Sequence, residues 1–514
     1  MPAHPLPITL TSIDYRVVAA LSLLLSLWLI AIDPVLDRDA ILYLRGADAY
    51  LQHGLQASLQ LFGRPLLSIC VALLHQLTGL PLIYAGLLLN SLFYALFCVG
   101  FVATVTTLGG DRRVQLLAAI VVLSHPTLND QRSSILRDPA YWACLILAFR
   151  ELLLYARRPL LRHQLCWSAY LLLATLFRFE GLFFAVLAPL SILATRDLHQ
   201  RWRHCFRLLA PVLIAVGAAL AVLALFPWGQ ASDAAAQGTA RLSGIETYLD
   251  RMWALPATLS EHAVATGDAM LEFSATEDAW AAMLAGLGAI LVLNICRALT
   301  WPWVLVMFLG TGKKYSARLR HDDSVLLWSH LLICFLYLAF FTLINRFMLE
   351  RYATQWVIFA LLLAPFILDR LWRTNRRSVH YLVVGLLVLM AGDSLHNRDY
   401  EKAFIRDASN WLLANTPAQA SLASNNQHIA YFSRRKFNWN TATYNEFELQ
   451  KILSHKEYWQ DDDYLAMRVT RADEQFWKLF LQENSLVEAI VFEGGARGRV
   501  SIVRVPESAQ TDSQ

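Results

Sequence analysis

Charge is scarce in this chain. Of its 514 residues, 16% are Asp, Glu, Lys or Arg and 56% are hydrophobic, whereas a soluble globule carries roughly 25% charged and about 45–50% apolar residues. That deficit excludes an ordinary soluble domain, and a net charge of +4 gives no case for a nucleic-acid partner. A disulfide framework is missing as well. The seven cysteines (70, 98, 144, 166, 205, 296 and 334) lie in or beside apolar runs, with no CxxC pair among them, and read as small hydrophobic packing residues. There is no HxxxH or HExxH spacing to signal a metal. Residues 1–14 lack the basic stretch and small-residue cleavage site of a signal peptide, so the first apolar run reads as a retained anchor. Internal repeats are absent too, which weighs against a secondary transporter.

Long apolar runs are what the chain does have. They fall near 15–32, 80–108, 114–128, 138–156, 167–195, 208–227, 280–309, 324–345, 352–371 and 379–392. A full crossing takes about 20 residues, so 114–128 and 379–392 lean on their flanks. The run 167–195 is interrupted by Arg178-Phe179-Glu180-Gly181 and reads as two short helices meeting at one membrane face, which brings the expectation to about eleven crossings. Basic residues then sort to one side: Arg112 and Arg113; Arg157, Arg158 and Arg162; Arg196 to Arg207; Lys313, Lys314, Arg318 and Arg320; Arg370 to Arg377. That side is cytoplasmic by the positive-inside rule. In a cytoplasmic (inner) membrane the N-terminus is therefore expected on the cytoplasmic side, and the segment after 393 on the outer side.

Three outer segments are long. Residues 33–79 carry two amphipathic helical patterns, 39–52 and 66–78. Residues 228–279 are Ala-rich, with scattered acids and His262, and read as a loop with helical turns. From 393 the composition turns polar. A helical pattern at 399–415, the apolar run Val487–Phe492 and the alternation Arg499–Val505 predict a small α/β domain over 393–505, with a disordered tail at 506–514. The fold class expected is thus an α-helical polytopic membrane protein over 1–392 with a small extracytoplasmic α/β domain.

Polar groups converge on the outer face. Asp37, Asp39 and Tyr43 come from the first outer loop. His125, Asn129, Asp130, Arg132, Arg137 and Asp138 come from a later connection, Arg178 and Glu180 from the interrupted run, and Asn345, Arg346, Glu350, Arg351 and Tyr352 from the join of two late spans. Ionisable groups at membrane depth are costly and usually functional. Arginines bind phosphate oxygens in pairs, and a carboxylate takes a proton from an attacking hydroxyl. Plainer roles are open to the same residues. Asp37 has the place of a helix cap, Arg137-Asp138-Pro139 that of a helix start, Arg178 and Glu180 can pair with each other, and Arg346 and Arg351 can reach lipid head groups.

With these residues in view, the chain resembles the polytopic GT-C glycosyltransferases, among them the protein O-mannosyltransferases and the bacterial transferase that adds aminoarabinose to lipid A. The acidic first-loop motif is similar in Asp37-Arg38-Asp39-Ala40 with Tyr43 in step, although the usual Glu after the Asp is missing. Arg64-Pro65-Leu66-Leu67 resembles a Pro-led segment of that family. Leu176-Phe177-Arg178-Phe179-Glu180-Gly181-Leu182 resembles its Arg-Pro-Glu-Gly-Leu turn, with Phe in place of Pro. Glu350-Arg351-Tyr352 resembles its late Arg-Tyr, and Trp411 to Arg435 the exported domain of some members. The resemblance implies inverting transfer of a sugar from a polyprenyl-phosphate donor to a hydroxyl of a glycan, lipid or protein acceptor. It implies Asp39, from its spacing to Tyr43, or else Asp37 as base. Arg351, Arg178, Arg346 and Arg137 would hold the donor phosphate, and Tyr43, Asp138, Glu180 and Tyr352 would line the substrate. Some relatives place a divalent metal near the first-loop acids, and nothing in this sequence demands one. The rival expectations are a polytopic transporter, a glycan ligase or polymerase of another type, and an assembly or sensor protein that displays its tail.

Overall fold

The computed structural model describes residues 12–33, 35–225, 250–312, 316–374, 376–396, 402–439 and 448–506. The expected tail beyond 506, residues 228–249 of the expected Ala-rich loop, and Lys313 and Lys314 lie outside that set.

Six helices are long and apolar enough to cross a membrane: Tyr15–Ile32, Leu82–Thr107, Asp138–Arg157, Thr276–Leu299, His321–Asn345 and Arg377–Leu395. A seventh crossing is the pair Glu350–Leu361 and Ala364–Trp372, bent by 48°. The chain is a multi-pass membrane protein. Several of the eleven expected crossings take shorter forms. The run 114–128 becomes the 12-residue helix Arg112–Leu123, which at 1.5 Å per residue reaches only ~18 Å. The run 280–309 breaks at Thr300, whose φ of 62° stops one helix and starts Trp301–Thr311. The interrupted run forms Leu161–Phe177 and Gly181–Ser191.

The helix Asp138–Arg157 is the axis of the bundle. It is buried on nearly every face, with 83% of its spanning window covered, as in a helix surrounded by other helices. Leu161–Phe177 and Leu82–Thr107 pack along it, with Tyr94 and Phe97 edged against Trp142. Tyr15–Ile32, by contrast, has only 22% of its window buried and lies on the outside of the bundle. One buried charge pins it there. Arg132 turns inward to the Ser22 and Ser26 hydroxyls, the Ser22 carbonyl, Asn129 and Cys98, so the expected outer-face position does not hold for this guanidinium.

Both amphipathic patterns of the first outer segment are helices. Arg38–Leu61 bends at Gly54, whose φ of 79° suits only glycine without strain, and Leu66–Thr78 is closed by left-handed Gly79.

Beyond Lys402 the chain builds a four-stranded sheet ordered β1-β2-β4-β3 from β1 (Leu422–Ala423), β2 (Tyr464–Val469), β3 (Glu488–Glu493) and β4 (Arg499–Arg504). β1 runs parallel to β2, and the other pairs are antiparallel. Ala403–Asn415 covers one face, where Phe404, Ile405 and Leu412 meet Ala466, Val500 and Ile502. Trp477 and Phe480 of Glu474–Glu483 cover the other, against Leu465, Met467 and Val503. This α/β unit rests on the helix Arg38–Leu61. Tyr431 packs into the bundle core, and the Arg45 guanidinium lies 3.8 Å from the centre of the Trp439 ring.

Candidate active site

Four segments distant in sequence meet at one end of the bundle. Asp37 caps the helix Arg38–Leu61, its carboxylate accepting from the Asp39 backbone N–H at 2.8 Å. Its own N–H donates to Ser134 Oγ at 3.1 Å, which ties the first loop to the segment entering the central helix. Asp39 points elsewhere. It accepts from Arg351 Nη1 at 2.7 Å, and Arg351 Nη2 donates to Asp138 Oδ2 at 2.7 Å.

Asp138 is completely buried in the first turn of the central helix. Its carboxylate caps nothing; its second oxygen accepts from Arg178 Nη1. Arg178 in turn donates from Nε at 3.1 Å and Nη2 at 2.5 Å to Glu180 Oε1. The result is an unbroken run of alternating charges, Asp39–Arg351–Asp138–Arg178–Glu180, drawn from four segments. Burial alone would raise the Glu180 carboxyl, but the Arg178 charge and hydrogen bonds outweigh it and bring the pKa down to about 2. The turn that presents Arg178 and Glu180 depends on Gly181, where a Cβ would fall 2.6 Å from the Thr175 nitrogen.

Aromatic rings frame these charges. The Arg178 guanidinium lies 5.8 Å from the Tyr141 ring and 5.5 Å from the Tyr352 ring. Tyr141 donates to Gln355 Oε1 at 2.8 Å. Tyr43 is buried, its phenol pushed by that burial to about 12, and its ring stands edge-on to Phe62 at 5.7 Å.

Two further guanidinium groups differ from Arg351 and Arg178. Arg137 lies over Phe62 at 5.1 Å, and its Nε and Nη1 are buried without a hydrogen-bond partner among the described residues. Arg64 lies 5.8 Å from the same ring, within electrostatic reach of Arg137, Arg178 and Glu180. Neither forms an ion pair among the described residues. Nine of the ten residues singled out from sequence therefore sit at or beside this cluster. The tenth, Arg346, is exposed at the end of His321–Asn345 and takes no part in these contacts. His125 is buried against Trp303 and Leu299, and His262 is exposed on another helix. Phe62, Tyr141 and Gln355 were not foreseen. Arg64 had been noted only as the start of a Pro-led segment, and its position directly before Pro65 was the available signal.

The donor set does not suit a divalent cation. Asp39 and Asp138 face guanidinium groups that would repel one, and no three His, Cys, Asp or Glu side chains converge as metal ligands among the described residues.

No protein-family model and no curated protein matches this sequence. Among solved structures, the chain is similar to the archaeal oligosaccharyltransferase AglB from Archaeoglobus fulgidus, at 11% identity and a TM-score of 0.46, over 88% of this chain and 69% of that one. It is similar to ArnT from Cupriavidus metallidurans at 11% identity and a TM-score of 0.45, over 96% and 98% of the two chains. It is also similar to the arabinofuranosyltransferase AftD from Mycobacteria at 14% identity and a TM-score of 0.48, over 96% of this chain and 40% of that one. At such identities and scores these alignments say what the chain is similar to and nothing further.

Proposed function

We propose that this protein is an inverting glycosyltransferase that moves a sugar from a polyprenyl-phosphate donor to an acceptor hydroxyl on the outer face of the cytoplasmic membrane. The topology proposed with it has the N-terminus inside, the shorter apolar helices completing about eleven crossings, and the α/β unit outside. One juxtaposition carries the reading: a half-buried carboxylate, Asp39, shares one end of a membrane bundle with two guanidinium groups, Arg137 and Arg64, that form no ion pair among the described residues. A phosphodiester whose tail stays in lipid brings its anion to that level.

Asp39 is the base in this reading. Arg351 orients it through the 2.7 Å hydrogen bond, so that it accepts the proton as the acceptor oxygen attacks the sugar's anomeric carbon. The bond from that carbon to the phosphate oxygen breaks on the opposite face, which inverts the centre. Polyprenyl phosphate leaves with one more negative charge, and fixed guanidinium groups stabilise it without reorganising. The sequence expectation put Arg351 first as phosphate ligand. Its two carboxylate partners move that role to Arg137, assisted by Arg64, and leave Arg351 and Asp138 to hold the base. The test is transfer by purified protein from a polyprenyl-phosphate-linked sugar, with Asp39→Asn and Arg137→Ala compared with wild type. Wild-type turnover in Asp39→Asn overturns the base, and an unchanged donor dependence in Arg137→Ala overturns the phosphate site.

A further inference from the structure

A cavity opens at the first outer-loop acid Asp37. It has a volume of about 670 Å³. Asp37, Arg38 and Ile41 form one wall, and residues of the α/β unit, including Gln427, Arg468 and Gln450, form the other. The cavity is therefore split between the two parts of the chain and touches the catalytic loop at Asp37.

Its chemistry is uneven. The acids on its lining are already engaged: Asp37 on the helix cap, Glu448 with Lys451 at 3.4 Å, and Asp473 with the Thr470 hydroxyl at 2.6 Å. Arg468 is different. Its backbone is clamped by the Asn425 amide, with Arg468 N donating to Oδ1 at 2.7 Å and Asn425 Nδ2 donating to the Arg468 carbonyl at 2.9 Å. Its side-chain Nε is buried with no hydrogen-bond partner among the described residues. A buried cationic donor left unsatisfied is costly unless a ligand supplies the acceptor. His428, held neutral by burial with a pKa of about 4, adds no competing charge. The remaining wall mixes amides such as Gln427 and Gln450 with aliphatic side chains such as Ile41 and Leu449, carries the cations Arg38 and Lys402, and has no aromatic ring besides that imidazole. The amides and cations match hydroxyls and an anionic group, and the aliphatic side chains match the apolar faces of sugar rings.

We infer that this cavity is the acceptor site, that the acceptor is a glycan bearing an anionic group, and that Arg468 of the α/β unit recognises that group while the reacting hydroxyl is presented to the first loop. The inference rests on the transferase reading for the word acceptor; the binding site itself does not. A carboxylate of a uronic acid and a phosphate on a sugar share the required chemistry.

The experiment is calorimetric titration of the full-length protein in detergent with three probes of equal length: a uronic-acid disaccharide, a phosphorylated disaccharide and the neutral disaccharide. Wild type is expected to bind one acidic probe and to bind the neutral one at least about tenfold more weakly, the scale of a lost charge-assisted hydrogen bond. Arg468→Met should remove that preference, and Arg468→Lys should restore part of it because the charge returns without the fork. Unchanged thermal unfolding in the lysine variant separates recognition from folding. Whichever acidic probe binds identifies the anion. Equal binding of all three probes, no binding of either acidic probe, or a preference that survives Arg468→Met overturns the inference. Loss of transfer in Asp39→Asn with acidic-probe binding intact is expected if both readings hold. Wild-type transfer in Asp39→Asn with the preference intact sinks the catalytic reading and leaves the cavity standing.

Discussion

Arg351 and Arg178 occupy the same end of the bundle as Arg137 and Arg64, yet the two pairs live in different surroundings. The first pair is ion-paired: between them they hold Asp39, Asp138 and Glu180, and only the Arg351 Nε is buried without a hydrogen-bond partner among the described residues. The second pair lies near the Phe62 ring, at 5.1 Å for Arg137 and 5.8 Å for Arg64, with no ion pair among the described residues, and Arg137 keeps two buried donors without a partner there. One residue type thus divides into cations that build the site and cations open to an anion. Burial is what forces the division. Asp138 has no exposed surface, and an unpaired carboxylate there would be far costlier than one at the rim.

The largest effect should come from the carboxylate at the outer end of the ion-paired run. Asp39→Asn keeps volume and one hydrogen bond to Arg351 but removes the proton acceptor, and transfer should fall about 10²–10⁴-fold, the usual worth of a positioned base. Single-turnover rates with unchanged polyprenyl-phosphate binding would confirm that chemistry, not binding, was lost. If Asp37→Asn causes the loss and Asp39→Asn does not, the base is the capping acid and the ion pair with Arg351 is purely structural.

Asp138→Ala tests the building role directly. It leaves Arg178 and Arg351 facing one another with no charge between them, and breaking a buried pair costs about 3–5 kcal/mol. The expected result is a clear drop in the thermal midpoint of the detergent-solubilised protein. Arg137→Ala should do the opposite, leaving the midpoint near wild type. Its expected signature is polyprenyl monophosphate binding weakened about tenfold or more, from lost charge-assisted hydrogen bonds. A lowered midpoint with undiminished phosphate binding in Arg137→Ala would erase the distinction between the pairs.

The difference between these pairs was not legible in the sequence, although the residues were. Arg137, Asp138, Arg178, Glu180 and Arg351 stand out because ionisable groups at the ends of apolar runs are costly enough to need a reason. Which cation is neutralised depends on partners up to 312 positions away, and no local pattern records that. Helix positions followed from hydrophobic runs, and the pattern 66–78 matches its helix residue for residue. The interruptions inside those runs did not, because uniform apolarity hides the break at Thr300 and the bend after Leu361. β2 stayed hidden for a related reason. Leu465, Met467 and Val469 face one core and Ala466 the other, so a strand buried on both faces shows no polar alternation.

The smallest effect expected sharpens the comparison from outside. Arg346 belonged to the same set of phosphate candidates, but it is exposed and closes the helix His321–Asn345 with a φ of 57°. In that left-handed backbone a Cβ crowds the following carbonyl oxygen at a cost of roughly 1–2 kcal/mol, whereas glycine adopts it freely. Glycine also widens the unfolded ensemble, which returns about 0.4–1 kcal/mol of the gain. Arg346→Gly should therefore raise the thermal midpoint slightly or leave it unchanged, with the donor dependence of transfer at the wild-type value. A donor dependence as damaged as that of Arg137→Ala would put the phosphate at the end of that helix instead. The contrast between paired and unpaired arginines would then describe the resting site without identifying where its anion binds.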